Sequence, residues 1–199
     1  MSETRVKSET PIYQLKVTLN GSKPPIWRRL LVPGDITLAH LHHLIQAAFG
    51  WYDYHLHQFI VREQYCSQPS FELDEYMARV GDERRIRLDR LVRGEKFKFR
   101  YEYDFGDSWL HDILVEKILP PDSQLKLPVC VKGVRACPPE DVGGIWGYYG
   151  FLEALQDPNH PEHDSYLEWT GGEWDAEAFD LNQINERLQT AWKRLKRRR

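Results

Sequence analysis

The chain has 199 residues with 41% hydrophobic and 13% aromatic side chains, which is enough apolar material to bury a substantial core and too much for an unfolded polymer. Its formal charge of −3 is unevenly spread: Arg187–Arg199 holds seven of the 27 Lys and Arg, leaving 20 basic against 30 acidic side chains elsewhere. Residues 136–186 contain no Lys or Arg, so the body does not offer the basic face that gripping a phosphate backbone requires. Three cysteines, odd in number and without a C-x-x-C, do not form a disulfide framework and are expected as reduced thiols. Met1–Arg5 opens a polar stretch with no apolar h-region behind it, and no apolar run approaches the roughly 18 residues of a membrane span, so the expected location is cytoplasmic, with no membrane partner.

Taken in order, residues 1–10 read as a charged, disordered terminus and residues 11–192 as a single domain. Ile12–Leu19 alternates as a strand, Asn20-Gly21 and Pro24-Pro25 turn the chain, and Ile26–Val32 makes a second strand. Asp35 or Thr37 caps a helix over Leu38–Phe49, whose Leu38, Leu41, Leu44, Ile45 and Ala48 share a face and which Gly50 stops. A third strand is predicted over Tyr54–Val61 and a short one over Arg84–Leu88, and the polar segment between them is left unassigned. Pro120, Pro121 and Pro128 make the next segment irregular, and Cys130–Gly144 reads as loop. Helices follow over Tyr148–Gln156 and His160–Trp169, with Asp175 capping Ala176–Phe179 and a terminal amphipathic helix over Leu181–Leu195. Residues 193–199 form a basic tail. Strands first and helices last predict an α+β fold with a mixed or antiparallel sheet.

The centre of that sheet is a β-hairpin over about 96–118. Phe97, Phe99, Tyr101, Tyr103 and Phe105 alternate with charged residues, Gly106-Asp107-Ser108 turns the chain, and an aliphatic run resumes. An odd loop sets Tyr101 opposite His111, Phe99 opposite Ile113, Arg100 opposite Asp112 and Lys96 opposite Glu116. An even loop would bury Asp112 and Glu116 unpaired among the rings, at a cost of several kcal/mol. The odd register is expected, with His111 turned inward.

Tyr103–His111, Ile26–Arg29, Ala47–Trp51, Ala136–Gly144, Asp157–His163 and Phe179–Leu181 together resemble the family of plasmid pRiA4b open-reading-frame-three-like proteins. The likeness runs from Ile12 to Leu188. It implies a single α+β domain and a setting on plasmids, on chromosomes, or as an insertion-element passenger. It brings no catalytic residues with it, because none are established for the family.

Several constellations can carry chemistry. Asp104 and Asp107 with His111 place two carboxylates and an imidazole near one sheet end, flanked by Tyr101 and Trp109. His55 and His57, two apart on a strand, share a face and need only Asp107 or His111 to complete a metal triad. Cys130 and Cys137 with His160 and His163 offer the donors of a closed zinc site, while Cys66 joins neither group. Pro138–Gly144 precedes a helix, but Glu140 and Asp141 favour self-capping over anion binding. Lys193, Arg194, Lys196, Arg197, Arg198 and Arg199 can touch nucleic acid or an acidic partner, although basic residues at a helix C-terminus explain themselves through the dipole.

No complete catalytic set is visible, so the leading expectation is a non-catalytic binding or adaptor domain. It would meet a protein partner through the acidic helical face and a groove with Trp51, Tyr52, Tyr54, Trp146 and Tyr148 exposed. The alternatives are a metal-dependent, hydrolase-like enzyme built on His55, His57, Asp104, Asp107 and His111, with zinc possible, and an accessory nucleic-acid binder acting through the tail.

Overall fold

The computed structural model describes residues 10–68 and 80–197. An eight-stranded sheet is built from β1 (Ile12–Leu19), β2 (Trp27–Pro33), β3 (His57–Val61), β4 (Gln64–Ser67), β5 (Val80–Asp82), β6 (Lys98–Tyr103), β7 (Trp109–Leu119) and β8 (Val129–Val134). Its order is β5-β4-β3-β6-β7-β1-β2-β8, antiparallel throughout except for the parallel β4–β5 pair, so the sheet is mixed and the fold α+β. The helices are α1 (Leu38–Phe49), a single turn α2 (Leu88–Leu91), α3 (Gly144–Gln156), α4 (His163–Thr170) and α5 (Leu181–Arg197). No helix among the described residues is long and apolar enough to cross a membrane.

The core lies where alternate strand residues meet the amphipathic helices. Leu15, Val17 and Leu19 of β1 are buried, as are Leu38, Leu41, Leu44, Ile45 and Ala48 of α1 and Ile184, Leu188 and Trp192 of α5. The bounds of α1 are those the periodicity predicts. Thr37 caps it in a box with His40, and Gly50 ends it at φ 86°, a left-handed conformation that glycine adopts without strain.

The hairpin also takes the predicted register: Tyr101 faces His111, Phe99 faces Ile113 and Arg100 faces Asp112 across an odd bend of residues 104–108. One pairing differs. Lys96 stands at φ 66° outside the ladder, and Glu116 instead receives Arg29 from β2, through Nε at 2.5 Å and Nη2 at 2.8 Å, with Gln14 donating at 2.8 Å. The bulge between Gln14 and Leu15 brings these three residues together on the more open face of the sheet.

Other expectations are corrected. β3 begins at His57, not Tyr54, so His55 lies in the preceding loop and the two imidazoles do not share a strand face. Residues 84–88 form a turn leading into α2 rather than a strand. Val129–Val134, read as loop, is strand β8, because it closes the sheet against β2. Trp51 and Tyr148 are buried rather than exposed, and Asp175 holds a turn through the Glu177 N–H rather than a helix. Residues 1–9 and 198–199 fall outside the described residues, and Lys193–Arg197 continue α5 instead of forming a separate tail.

At the β8 edge, α5 lies alongside the strand. Asn185 accepts from the Cys130 N–H at 2.7 Å and donates to its carbonyl at 3.0 Å, and Gln189 donates to the Pro128 carbonyl at 2.6 Å.

Candidate functional site

The richest concentration of imidazoles and carboxylates lies where the α1–β3 loop meets the hairpin bend and the loop before α3. His42 and His43 come from α1, Asp53 and His55 from the loop after it, His57 from the start of β3, Glu83 from the turn after β5, Asp104 from the bend, and Glu140 and Asp141 from the loop before α3. Asp53, Asp104 and Asp141 all sit at positive φ, 64°, 57° and 62° respectively, which aspartate tolerates better than most residues. Three loops are thus bent toward one another.

Two groups of three ligand atoms lie within 4.8 Å of one another among the described residues: His42, His43 and Asp53, and His55, Asp104 and Asp141. The first is satisfied internally. Asp53 takes His42 Nε2 at 2.7 Å and His43 Nδ1 at 3.1 Å, while His42 Nδ1 lies 2.7 Å from the Tyr101 hydroxyl, to which Gln46 donates at 2.9 Å. The chain Gln46, Tyr101, His42, Asp53 uses each proton once if His42 is neutral. Burial, ahead of the opposing pull of Asp53, pushes His42 down to about 3, in keeping with that neutral form. Beneath it His57 stacks on His42 with ring centroids 3.4 Å apart and turns Nε2 to Glu83 at 2.9 Å.

The second group is not satisfied. His55 Nε2 is 3.0 Å from Asp141 Oδ1 and 3.8 Å from Asp104 Oδ2, yet it is buried and outside the direction of any hydrogen bond. Asp104 uses its other oxygen for the Gly106 N–H at 2.9 Å, and Asp141 is largely exposed. A ring nitrogen facing two carboxylate oxygens without a proton in line has the donor set and shape of a small-cation site. Tyr103 holds the surrounding frame: its hydroxyl donates to Glu140 at 2.5 Å and accepts from the Tyr54 N–H at 3.0 Å, while Glu140 also accepts from the Tyr52 N–H at 2.8 Å. Burial, with the Glu140 carboxylate beside it, keeps the Tyr103 hydroxyl well above its usual range, so it stays a donor.

The remaining sequence candidates take other roles. Asp107 accepts from the Gly143 N–H at 3.1 Å and so fastens the bend to α3. His111 is fully buried among Phe49, Trp51 and Tyr101, with Nδ1 on the Trp109 carbonyl at 2.9 Å; the register that sets it opposite Tyr101 carries it into the core and away from the bend's carboxylates. Trp109 is buried beside Trp51, and Tyr101 belongs to the His42 chain. Cys130, Cys137, His160 and His163 form no common donor set: Cys137 Sγ receives Arg28 at 3.0 Å, Cys130 Sγ faces the Lys132 carbonyl at 3.5 Å, His163 contacts the Ala154 carbonyl at 2.9 Å, and His160 accepts from the Glu162 N–H at 3.2 Å. Burial pushes both thiols up, Cys137 to about 11, so both stand as neutral thiols in the fold. Cys66 is buried on β4. Lys193, Arg194, Lys196 and Arg197 occupy the end of α5, where the Lys196 ammonium lies 5.3 Å from the Trp192 ring centre.

Sequence reasoning passed over His42, His43, Asp53, Glu83, Tyr103 and Asp141 as partners. A signal existed for one of them, since His42 and Gln46 are four apart beside the apolar stripe of α1, where a polar pair facing the sheet needs partners there.

The bend's seat on α3 is tight. Gly144 has φ 67°, and a Cβ there would lie 2.4 Å from the Asp107 carbonyl oxygen. Gly144→Ala is expected to push the bend outward and to lower stability by about 2 kcal/mol or more. Urea denaturation checks this, and a change below about 0.5 kcal/mol would show that the seat is loose.

The chain is similar to known proteins over most of its length. An uncharacterized protein, y4hQ, from Sinorhizobium fredii (strain NBRC 101917 / NGR234) is 39% identical over 193 residues, covering 94% of this chain and 97% of the relative. A crystal structure of a protein of unknown function, MM3350, from Methanosarcina mazei Go1 superposes with a TM-score of 0.78 at 36% identity, over 87% of this chain and 97% of that one. The pattern of plasmid pRiA4b ORF-3-like proteins matches residues 11–183, which contain every residue of the cluster above, and the chain therefore belongs to the plasmid pRiA4b ORF-3-like family.

Proposed function

We propose that the chain is a metal-dependent hydrolase whose centre is a divalent cation held by His55, Asp104 and Asp141. The observation that carries this reading is the buried Nε2 of His55, which faces two carboxylate oxygens at 3.0 and 3.8 Å without a hydrogen bond in line to either. One imidazole and two carboxylates suit a divalent ion of the manganese-to-zinc range, and three protein ligands leave positions open for water and substrate. The exposure of Asp141 supports reading those positions as open to solvent. There the cation would acidify a bound water and polarise the bond it attacks. Glu140 and Tyr103 act as a second layer that fixes the loops carrying Asp141 and His55.

Titration of chelator-treated protein with Mn²⁺ and with Zn²⁺ tests the site by calorimetry. One equivalent is expected to bind, with affinity reduced at least about 10-fold in His55→Ala and in Asp141→Asn, and metal-dependent turnover is expected on a panel of chromogenic carboxylate and phosphate esters. Absence of saturable binding by either ion removes the proposal.

A second reading, the adaptor, retains one observation. Tyr52, Tyr54 and Trp146 are 73%, 78% and 83% exposed, and Tyr52 and Tyr54 stack on each other, an unusual amount of open ring surface beside an acidic helical segment. A monodisperse monomer that retains no basic protein partner in affinity capture would count against it.

A further inference from the structure

A second feature adjoins the imidazole cluster and shares Asp141 with it at one edge. On the other side of the α1–β3 loop is a groove of about 650 Å³ bounded by Phe49, Trp51, Tyr52, Trp174, Phe179 and Arg187. Arg28 forms its floor, with its guanidinium 5.3 Å from the Phe49 ring centre and 5.0 Å from that of Phe179. The donors of Arg28 go to the carbonyls of Ala48, Trp27, Val134 and Arg135 and to Cys137 Sγ, so all of its partners are neutral and its charge reaches the groove uncancelled.

Arg187 has the opposite problem. It projects from α5 to the groove wall, where Nη1 lies 2.5 Å from the position a Cβ would take on Gly50, so that the bare backbone of the α1 C-cap is what admits it. No hydrogen bond or ion pair engages Arg187 among the described residues, and its Nε is buried without a partner. Burial holds its guanidinium below the usual range, opposed first by Cys137 and more weakly by Asp180, while the neighbouring Arg28 acts in the same direction as burial. A half-buried guanidinium without an acceptor, next to a second uncancelled one, lacks an anion. The ring-lined walls say what the anion is attached to, since planar apolar groups stack on such surfaces.

We propose that this groove binds a small organic anion bearing an aromatic ring, an aryl phosphate or aryl carboxylate, with its oxygens on Arg187 and its ring against Trp51 and Phe179. The site uses none of the three metal ligands for its anion contact and does not rest on the hydrolase reading. Glu140, Asp141 and Asp180 also line the groove, so Arg187 and Arg28 are the lining groups that attract an anion.

Calorimetry on metal-free protein with phenyl phosphate, benzoate and, as neutral control, benzyl alcohol is the test. Saturable binding of at least one anion is expected, weakened at least tenfold in Arg187→Gln, partly restored in Arg187→Lys, and not matched by benzyl alcohol. Binding of phenyl phosphate alone identifies a phosphate ester as the source, and equal or tighter binding of benzoate identifies a carboxylate; both support the site. Arg187 makes no hydrogen bond to lose, so its variants are expected to keep the wild-type Tm, measured alongside. Failure of both anions to bind, or equal binding by a folded Arg187→Gln, overturns the proposal. His55→Ala separates the two readings: it is expected to weaken metal binding at least about tenfold and to leave anion affinity unchanged within twofold.

Discussion

Arg28→Lys is expected to destabilise the protein by about 3–5 kcal/mol, the largest effect of any single substitution argued from the structure. Arg28 is 3% exposed and ties five acceptors from four places in the chain: Trp27 beside it, Ala48 at the end of α1, Val134 and Arg135 at the end of β8, and Cys137 beyond. A lysine ammonium has three donors and no planar fork, so at least two of those buried acceptors lose their partner, each at about 1–3 kcal/mol. Urea denaturation monitored by tryptophan fluorescence measures it. A loss below about 1 kcal/mol would mean that water replaces the guanidinium at that junction.

Acid lability is the second large effect. Burial pushes His42 and His111 down to about 3, whereas an imidazole in the unfolded chain titrates near its ordinary value of 6.5. Between those two values the unfolded state binds more protons, so the contribution of these two groups is whole above about pH 6.5, falls with pH through the window and is fully lost below about pH 3. Each group can contribute up to about 4–5 kcal/mol across the full window. Most of the folding stability of a domain this size is at stake, and unfolding is expected before the window is crossed. Midpoints of urea denaturation from pH 8 to pH 4 give the slope, and His111→Phe, which keeps the ring among Phe49, Trp51 and Tyr101, is expected to remove about half of it. A midpoint that does not change from pH 8 to pH 5 would show that these imidazoles reach water in the fold.

Much of the scaffold was legible because periodicity reports burial directly. β1 and α1 match residue for residue, and opposite charges at Arg100 and Asp112 selected the hairpin register. β8 was missed because Pro128 directly precedes it, Lys132 and Gly133 interrupt its apolar run, and its pairing with β2 is non-local. The buried role of Arg28 was readable in principle, since Ile26, Arg28, Leu30 and Val32 alternate on one face, but a charge at such a position is ordinarily taken as an edge. At the candidate site the sequence supplied His55 and Asp104 and withheld Asp141. That residue reaches them only because a Tyr103–Glu140 contact draws two loops together across 37 residues, and no local pattern encodes such a contact.

The clip of α5 on β8 bears on how the molecule behaves in a crowd. The outermost strand at that end would otherwise present free amide and carbonyl groups to any passing chain in extended form. With Asn185 occupying both polar groups of Cys130 and Gln189 capping Pro128, the terminal helix acts as a permanent stopper, and lateral growth into fibrous aggregates is blocked there for as long as that helix stays docked.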